Sequence, residues 1–270
     1  TLTPADICSG TTFSYSATSN TQLNPTFSWS RAAVAGISQA SATGSSASIS
    51  ETLTNTTNVP VSVTYVYTIT ANGCTATNNV VVVVNPTPTV NTVTSQTVCN
   101  NTSTSAVNFA STFNVAGTTY TWTNTNTAIN LLASGSGNIA SFNATNTTNA
   151  PISGTITVTP SANGCPGATQ SFTITVNPTP TVNAITSQTL CNNATTNAVT
   201  FASTFNVSGT TYAWTNNTTS IGLAASGSGN IAAFTATNTF KAPVTATVTV
   251  TPSANGCAGI PQTFTITVNP

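Results

Sequence analysis

Apolar and polar residues alternate along much of the chain with a period of two. Ser171 to Val176 sets Phe172, Ile174 and Val176 between serine and threonine, and Thr118 to Asn124 sets Tyr120 and Trp122 between threonines. In Ile152 to Thr159, Ile156 and Val158 fall on one face and threonines on the other. Alternation of this kind marks strands with one buried and one wet face, and no 3.6-residue helical period competes with it. Within residues 87–178 the pattern predicts further strands at Gln96 to Cys99, Ala106 to Phe109 and Ile139 to Thr145. A turn is predicted at Ser134 to Asn138 and a hairpin at Asn163-Gly164. About seven short antiparallel strands in such a stretch predict a β-sandwich.

The pattern itself repeats. Val-Asn-Pro-Thr-Pro-Thr-Val-Asn occurs at Val84 to Asn91 and Val176 to Asn183, and begins again at Val268, so that Asn85, Asn177 and Asn269 are spaced by 92 residues. A fixed period with prolines at each joint predicts an array of similar domains: 1–86, 87–178 and 179–270. The second and third repeats align without a gap, with exchanges such as Val93 for Ile185 and Ile156 for Val248. The first is more divergent but keeps Thr54 to Val61 against Thr145 to Ile152. Trp29, Trp122 and Trp214 recur as predicted core aromatics. At the joints, Pro86 and Pro88 fix φ and hold Asn85 and Thr87 extended, as Pro178 and Pro180 do beside Asn177. Pro-x-Pro behaves as a semi-rigid spacer, so the domains are expected end to end.

Composition removes whole classes of chemistry. The 270 residues hold two basic and two acidic side chains and no histidine. Those four are Asp6, Arg31, Glu51 and Lys241, and the second repeat has none. General acid–base and triad chemistry lack their titratable groups, so the chain is expected not to be an enzyme. No metal or cofactor site is expected, nor a nucleic-acid surface. The longest apolar run, Val80 to Val84, is far too short to span a membrane. With so little to titrate, stability is expected to vary hardly at all with salt or between about pH 3 and 9. Methionine is absent, so a processed product or an excerpt is expected.

Six cysteines follow the period: Cys8 and Cys74, Cys99 and Cys165, Cys191 and Cys257, each pair 66 positions apart. No C-x-x-C spacing suggests zinc or redox chemistry. One structural disulfide per repeat is predicted, pinning one end of each sandwich, in an oxidising compartment and hence an extracellular location. Sequons at Asn55, Asn101, Asn143, Asn146, Asn193 and Asn206 are no more frequent than this composition produces by chance, yet covalent glycans would suit an uncharged secreted chain.

The run P-T-V-N-x-[VI]-T-S-Q-T-[VL]-C-N-N, then G-T-T-Y-x-W-T-N, A-S-G-S-G-N-I-A, T-V-T-P-S-A-N-G-C and T-I-T-V-N-P resembles the PKD-like, immunoglobulin-fold repeats of very large Bacteroidota surface proteins. Repeats two and three match along their length and repeat one loosely. The W-D-F-G-D-G hallmark of PKD domains is missing, since Thr123 and Asn124 follow Trp122, and with it goes any acidic, calcium-binding loop. The resemblance implies a secreted cell-surface protein of adhesin or gliding type. The expected role is a structural repeat module in an extracellular filament or adhesin stalk. Its partners would be adjacent repeats or further copies of itself. The rival is a glycan- or host-binding module using loops at the sandwich ends. Identical Ser134 to Asn138 and Ser226 to Asn230 segments favour the spacer.

Overall fold

A computed structural model describes residues 2–19 and 24–270; Thr1, which opens the first repeat, lies outside that set. The fold is all-β, in three tandem sandwiches. In the first, the strands are β1 (Ile7–Cys8), β2 (Thr11–Ser16), β3 (Thr26–Arg31), β4 (Ala42–Gly44), β5 (Ser48–Leu53), β6 (Val61–Ala71) and β7 (Cys74–Asn85). The second has β8 (Gln96–Cys99), β9 (Thr102–Ser103), β10 (Thr119–Asn124), β11 (Ser134–Ser136), β12 (Asn143–Ala144), β13 (Ile152–Ala162), β14 (Cys165–Pro166) and β15 (Gln170–Asn177). The third has β16 (Gln188–Cys191), β17 (Thr211–Asn216), β18 (Ser226–Ser228), β19 (Val244–Ala254), β20 (Cys257–Ala258) and β21 (Gln262–Asn269).

Each main sheet has one order: β1-β7-β6-β3-β4, β8-β15-β13-β10-β11 and β16-β21-β19-β17-β18. The first strand of each repeat pairs parallel to the last, and the other main-sheet pairings are antiparallel. The facing layer is thin. It is the β2–β5 ribbon in the first repeat and the β9–β12 pair with a Val107–Ile139 bridge in the second. In the third, only isolated bridges form there, Thr195 to Thr235 and Val199 to Ile231. Ala106 to Phe109 and Ile139 to Thr145, predicted as strands, are therefore mostly irregular. Their alternation is satisfied by burying Val107, Phe109, Ile139 and Ala144 without a continuous ladder.

The central strands follow the alternation closely. Ile156, Val158, Phe172, Ile174 and Val176 are buried in the second core, and Val248, Val250, Phe264, Ile266 and Val268 in the third. Complete burial of each such side chain is worth about 1.5–3 kcal/mol. On the outer face, hydroxyls bridge the strands: Ser153 to Thr175 at 2.8 Å, Thr157 to Ser171 at 3.0 Å and Thr245 to Thr267 at 2.9 Å. With almost no charge to guard exposed sheet edges, the outermost strands of the main sheets are four residues or fewer, which limits edge-to-edge pairing there.

The Ser-Gly-Ser segments are not turns. They form β11 and β18, pairing with the tryptophan strands so that Gly135 and Gly227 lie opposite Trp122 and Trp214. A Cβ on Gly135 would stand 2.3 Å from Trp122 Cζ2, and one on Gly227 2.2 Å from Trp214 Cζ2. Gly44 serves Trp29 in the same way. The indoles pack on bare backbone, so glycine is needed there for space. Trp122 and Trp214 are buried and Trp29 half-buried against its core.

Candidate functional site: the joint between sandwiches

Strand direction decides what the cysteines can reach. Because β1, β8 and β16 run parallel to the last strand of their repeat, Cys8, Cys99 and Cys191 sit in register with Asn85, Asn177 and Asn269. The first cysteine of each repeat thus marks its trailing end. The second follows an Asn-Gly turn at the leading end, where Asn72, Asn163 and Asn255 and their following glycines adopt positive φ. From Cys74 to Asn85 is one unbroken strand of 12 residues. At about 3.3 Å per residue, the two cysteines of one repeat lie roughly 35 Å apart, beyond any disulfide.

The bonds cross the joints instead. Cys8 pairs with Cys165 and Cys99 with Cys257, with Cα–Cα distances of 5.5 and 5.7 Å. Cys74 and Cys191 are free and exposed. The predicted pairings Cys8–Cys74, Cys99–Cys165 and Cys191–Cys257 are therefore wrong, as is the inclusion of Cys74 and Cys191 among disulfide cysteines. Pairing within a repeat requires the end of the first strand and the start of the last to share one pole of the sandwich. Parallel pairing puts them at opposite poles. Each bond closes a loop of 157 or 158 residues, worth about 5 kcal/mol against the unfolded chain on a chain-entropy basis.

The rest of the joint is packed around these bonds. Pro86, Pro88, Pro178 and Pro180 are buried, and Asn85 is buried too. The hairpin of the following repeat leans on its own leading segment: a Cβ on Gly167 would fall 1.7 Å from the Pro88 carbonyl oxygen, and one on Gly259 1.9 Å from that of Pro180. Asn177 Nδ2 donates to the Asn255 carbonyl of the next repeat at 2.8 Å. Asn58 donates across the first joint to Asn114 O at 3.1 Å, and Asn149 across the second to Asn206 O at 3.2 Å. The Pro-x-Pro spacer is thus clamped between domains, not strung between them in solvent.

A further set of residues lies in a recurring Thr-Asn-Thr phrase, at residues 54–56, 145–147 and 237–239. Asn146 Nδ2 donates to Ala150 O and to Val176 O, both at 2.8 Å, while its Oδ1 accepts from Thr148 N. Asn55 does the same toward Val59 and Val84, and Asn238 toward Ala242 and Val268. These buried amides tie the distal loop to the last residues before each joint. Recurrence was visible in the sequence, but the role was not, because asparagine is common everywhere in the chain. Two of the sequon asparagines, Asn55 and Asn146, are unsuited to carry a glycan, since glycosylation would take an amide hydrogen already committed to the fold.

Two of the four charged side chains, Arg31 and Glu51, form an ion pair inside the first repeat. Arg31 is buried, and its Nε donates to Glu51 Oε2 at 2.9 Å while Nη2 donates to Glu51 Oε1 at 2.5 Å and to Ala40 O. Tyr65 Oη donates to Glu51 Oε2 at 2.6 Å. Burial pushes the Glu51 carboxyl up, but the Arg31 and Tyr65 hydrogen bonds outweigh it and hold the carboxyl below its ordinary range. The hydrogen bond to Glu51 raises Arg31 in turn. Burial, then the bond to Glu51, raises Tyr65, and burial pushes Tyr67 up to about 12. This cluster holds a loop and offers no open reaction centre. A concavity of about 660 Å³ between Asn183–Leu190 and Thr195–Ala202 has no ionisable side chain in its lining. Among the described residues no group of three His, Cys, Asp or Glu side chains could hold a metal. No helix among them is long and apolar enough to cross a membrane.

A family profile described as PKD-like domain matches residues 5–88, 96–180 and 188–270. The chain belongs to the PKD-like domain family. Comparison with curated proteins finds no match. Among solved structures, the PKD-like repeats are similar to a three-immunoglobulin fragment of titin in a Glu-to-Ala mutated variant. That match has 10% identity and a TM-score of 0.52, covering 99% of this chain and 96% of that one. An I-band fragment of titin matches at 9% identity and a TM-score of 0.49, covering 100% and 97%. Extracellular domains 3–5 of Drosophila OTK match at 10% identity and 0.40, covering 100% and 95%. The first of these likenesses shows a shared tandem immunoglobulin-like fold.

Proposed function

We propose that the chain is a non-catalytic structural module, a disulfide-stapled rod within a bacterial extracellular filament or the stalk of a cell-surface adhesin. The observation that carries this reading is the staggered disulfide at each joint. A bond within a repeat would stabilise that repeat alone. A bond from each repeat to the next gives the joint a second covalent connection beside the proline segment, and two connections resist bending where one does not. Oxidised cysteines require an oxidising compartment, which supports an extracellular site. We take the repeats as 1–86, 87–178 and 179–270, with glycans, where present, on the exposed Asn101, Asn143, Asn193 and Asn206. A Bacteroidota source fits the sequence resemblance.

Small-angle scattering with single-particle imaging of the full chain, oxidised and then reduced, tests the reading. A stapled rod gives one narrow distribution of inter-repeat angles when oxidised and a broader one after reduction. Equally broad distributions in both states would overturn it.

A further inference from the structure

The two unpaired cysteines are complementary halves of a joint. Cys191 stands in the frame that holds Cys8 and Cys99: it is in register with Asn269, and Asn192 N donates to Asn269 O at 2.9 Å, as Ser9 and Asn100 donate to Asn85 and Asn177 at 2.8 Å. Cys74 follows Asn72 and Gly73 at φ of 47° and 80°, while Cys165 and Cys257 follow Asn-Gly pairs at 51° and 76° and at 51° and 77°. Cys165 and Cys257, engaged in internal joints, are each 1% exposed. Cys74 and Cys191 occupy the equivalent positions at the two outer poles of the three repeats described and are open to solvent.

We propose that Cys191 of one copy bonds to Cys74 of a second copy, joining chains head to tail by the same disulfide that joins their repeats. The inference rests on the stapled-joint reading given above. A second copy suits the seat at Cys74. In repeats two and three the ladder breaks after Pro166 and after Ala258, and Gly167 and Gly259 admit the carbonyl of the incoming Pro-Thr-Pro segment. In repeat one β7 pairs with β6 without a break from Cys74 to Val84, and Ala76 holds the position of those glycines. Ala76 leaves no glycine gap for such a carbonyl, and a disulfide partner on a separate chain needs none. The contact is heterologous, a trailing pole meeting a leading pole, so repetition extends a fibre and does not close a dimer.

Formation is an exchange with a disulfide oxidant. The two thiols lose two electrons and two protons, and one molecule of glutathione disulfide is reduced to two of glutathione. The full chain is incubated with glutathione disulfide and run on non-reducing gels. The expected result is a ladder at multiples of the monomer mass that collapses with dithiothreitol, with a Cys191–Cys74 peptide in its digest. Cys74→Ser and Cys191→Ser variants should each remain monomeric alone and give dimers, with nothing longer, when mixed. A wild type that stays monomeric, or single variants that dimerise as readily as the mixture, would overturn the proposal. Internal bonds mapped in the same sample keep the two readings apart. Intact Cys8–Cys165 and Cys99–Cys257 bonds without a ladder would end this inference alone, whereas their absence would end the joint as well.

Discussion

Repeat one and repeats two and three answer the same structural problem differently. Two residues after the core tryptophan, the strand turns into a loop whose carbonyls point inward, and a buried polar side chain must meet them. In repeats two and three it is a neutral amide. Asn124 Nδ2 donates to Asn126, Leu131 and Leu132 carbonyls, and Asn216 to those of Thr218, Leu223 and Ala224. In repeat one it is Arg31, donating to Ala32 and Ala40 carbonyls and to Glu51. The charged solution brings a half-buried carboxylate and two deeply placed tyrosines with it, and so makes one repeat titrate while its neighbour, with no charged side chain, has nothing comparable. One position in the fold can be filled by either chemistry, at the cost of pH sensitivity.

The largest effect that sharpens this comparison is loss of one ionic partner. Glu51→Ala leaves Arg31 buried and uncompensated, and should cost repeat one about 3–5 kcal/mol, seen as a drop in denaturant midpoint. Hydrogen exchange should rise in residues 26–85 and stay level in 87–270; uniform exchange throughout would break the comparison. Asn124→Ala leaves three inward carbonyls unmet and should cost about 2–3 kcal/mol, confined by the same readout to repeat two.

Crowding under the tryptophan comes next and should not distinguish the repeats. Gly135→Ala and Gly44→Ala each push a methyl into an indole and should cost about 1–3 kcal/mol, with Trp122 or Trp29 fluorescence shifting accordingly. A neutral outcome at either position would mean that the indole has room the structure does not show.

The smallest effect is pH. Glu51 ionises more readily folded than unfolded, so its contribution is present above the ordinary carboxylate pKa of about 4.3 and is lost as pH falls through its depressed value. Tyr67, raised to about 12, and Tyr65 are favoured as neutral phenols in the fold. Their contribution is full below about pH 10, where an unfolded tyrosine ionises, and falls away above it. Repeat one should therefore loosen first at both extremes, by hydrogen exchange measured across pH. Repeat two, with no charged side chain, should show the near-complete indifference to acid expected from composition, while repeat one should loosen once pH falls below about 4.3.

Much of this was legible in the sequence, for a physical reason. Alternation in β6, β10, β13 and β15 is long and regular, and a strand with one wet face leaves no other reading. The thin facing layer is less regular than its alternation suggests: within Ala106 to Phe109 and Ile139 to Thr145 only Asn143–Ala144 forms a strand, and the other buried apolar residues pack without a ladder. Ser134-Gly135-Ser136 looked like a turn because glycine commonly marks one, whereas here it makes room for Trp122. The disulfides depend on strand direction, which spacing does not show. Equal spacing within repeats suggests pairing within repeats, and only strand direction shows that Cys99 and Cys165 face different neighbours. Strand length carried the missing signal, since a 12-residue strand separates the second cysteine from the trailing pole.

The central claim is that covalent bonds join the repeats and none lies within one. Non-reducing peptide mapping of the oxidised chain after chymotrypsin tests it most directly. The structure predicts linked peptides carrying Cys8 with Cys165 and Cys99 with Cys257. Linked Cys8 with Cys74, or Cys99 with Cys165, would contradict the staggered joint and return each sandwich to standing alone.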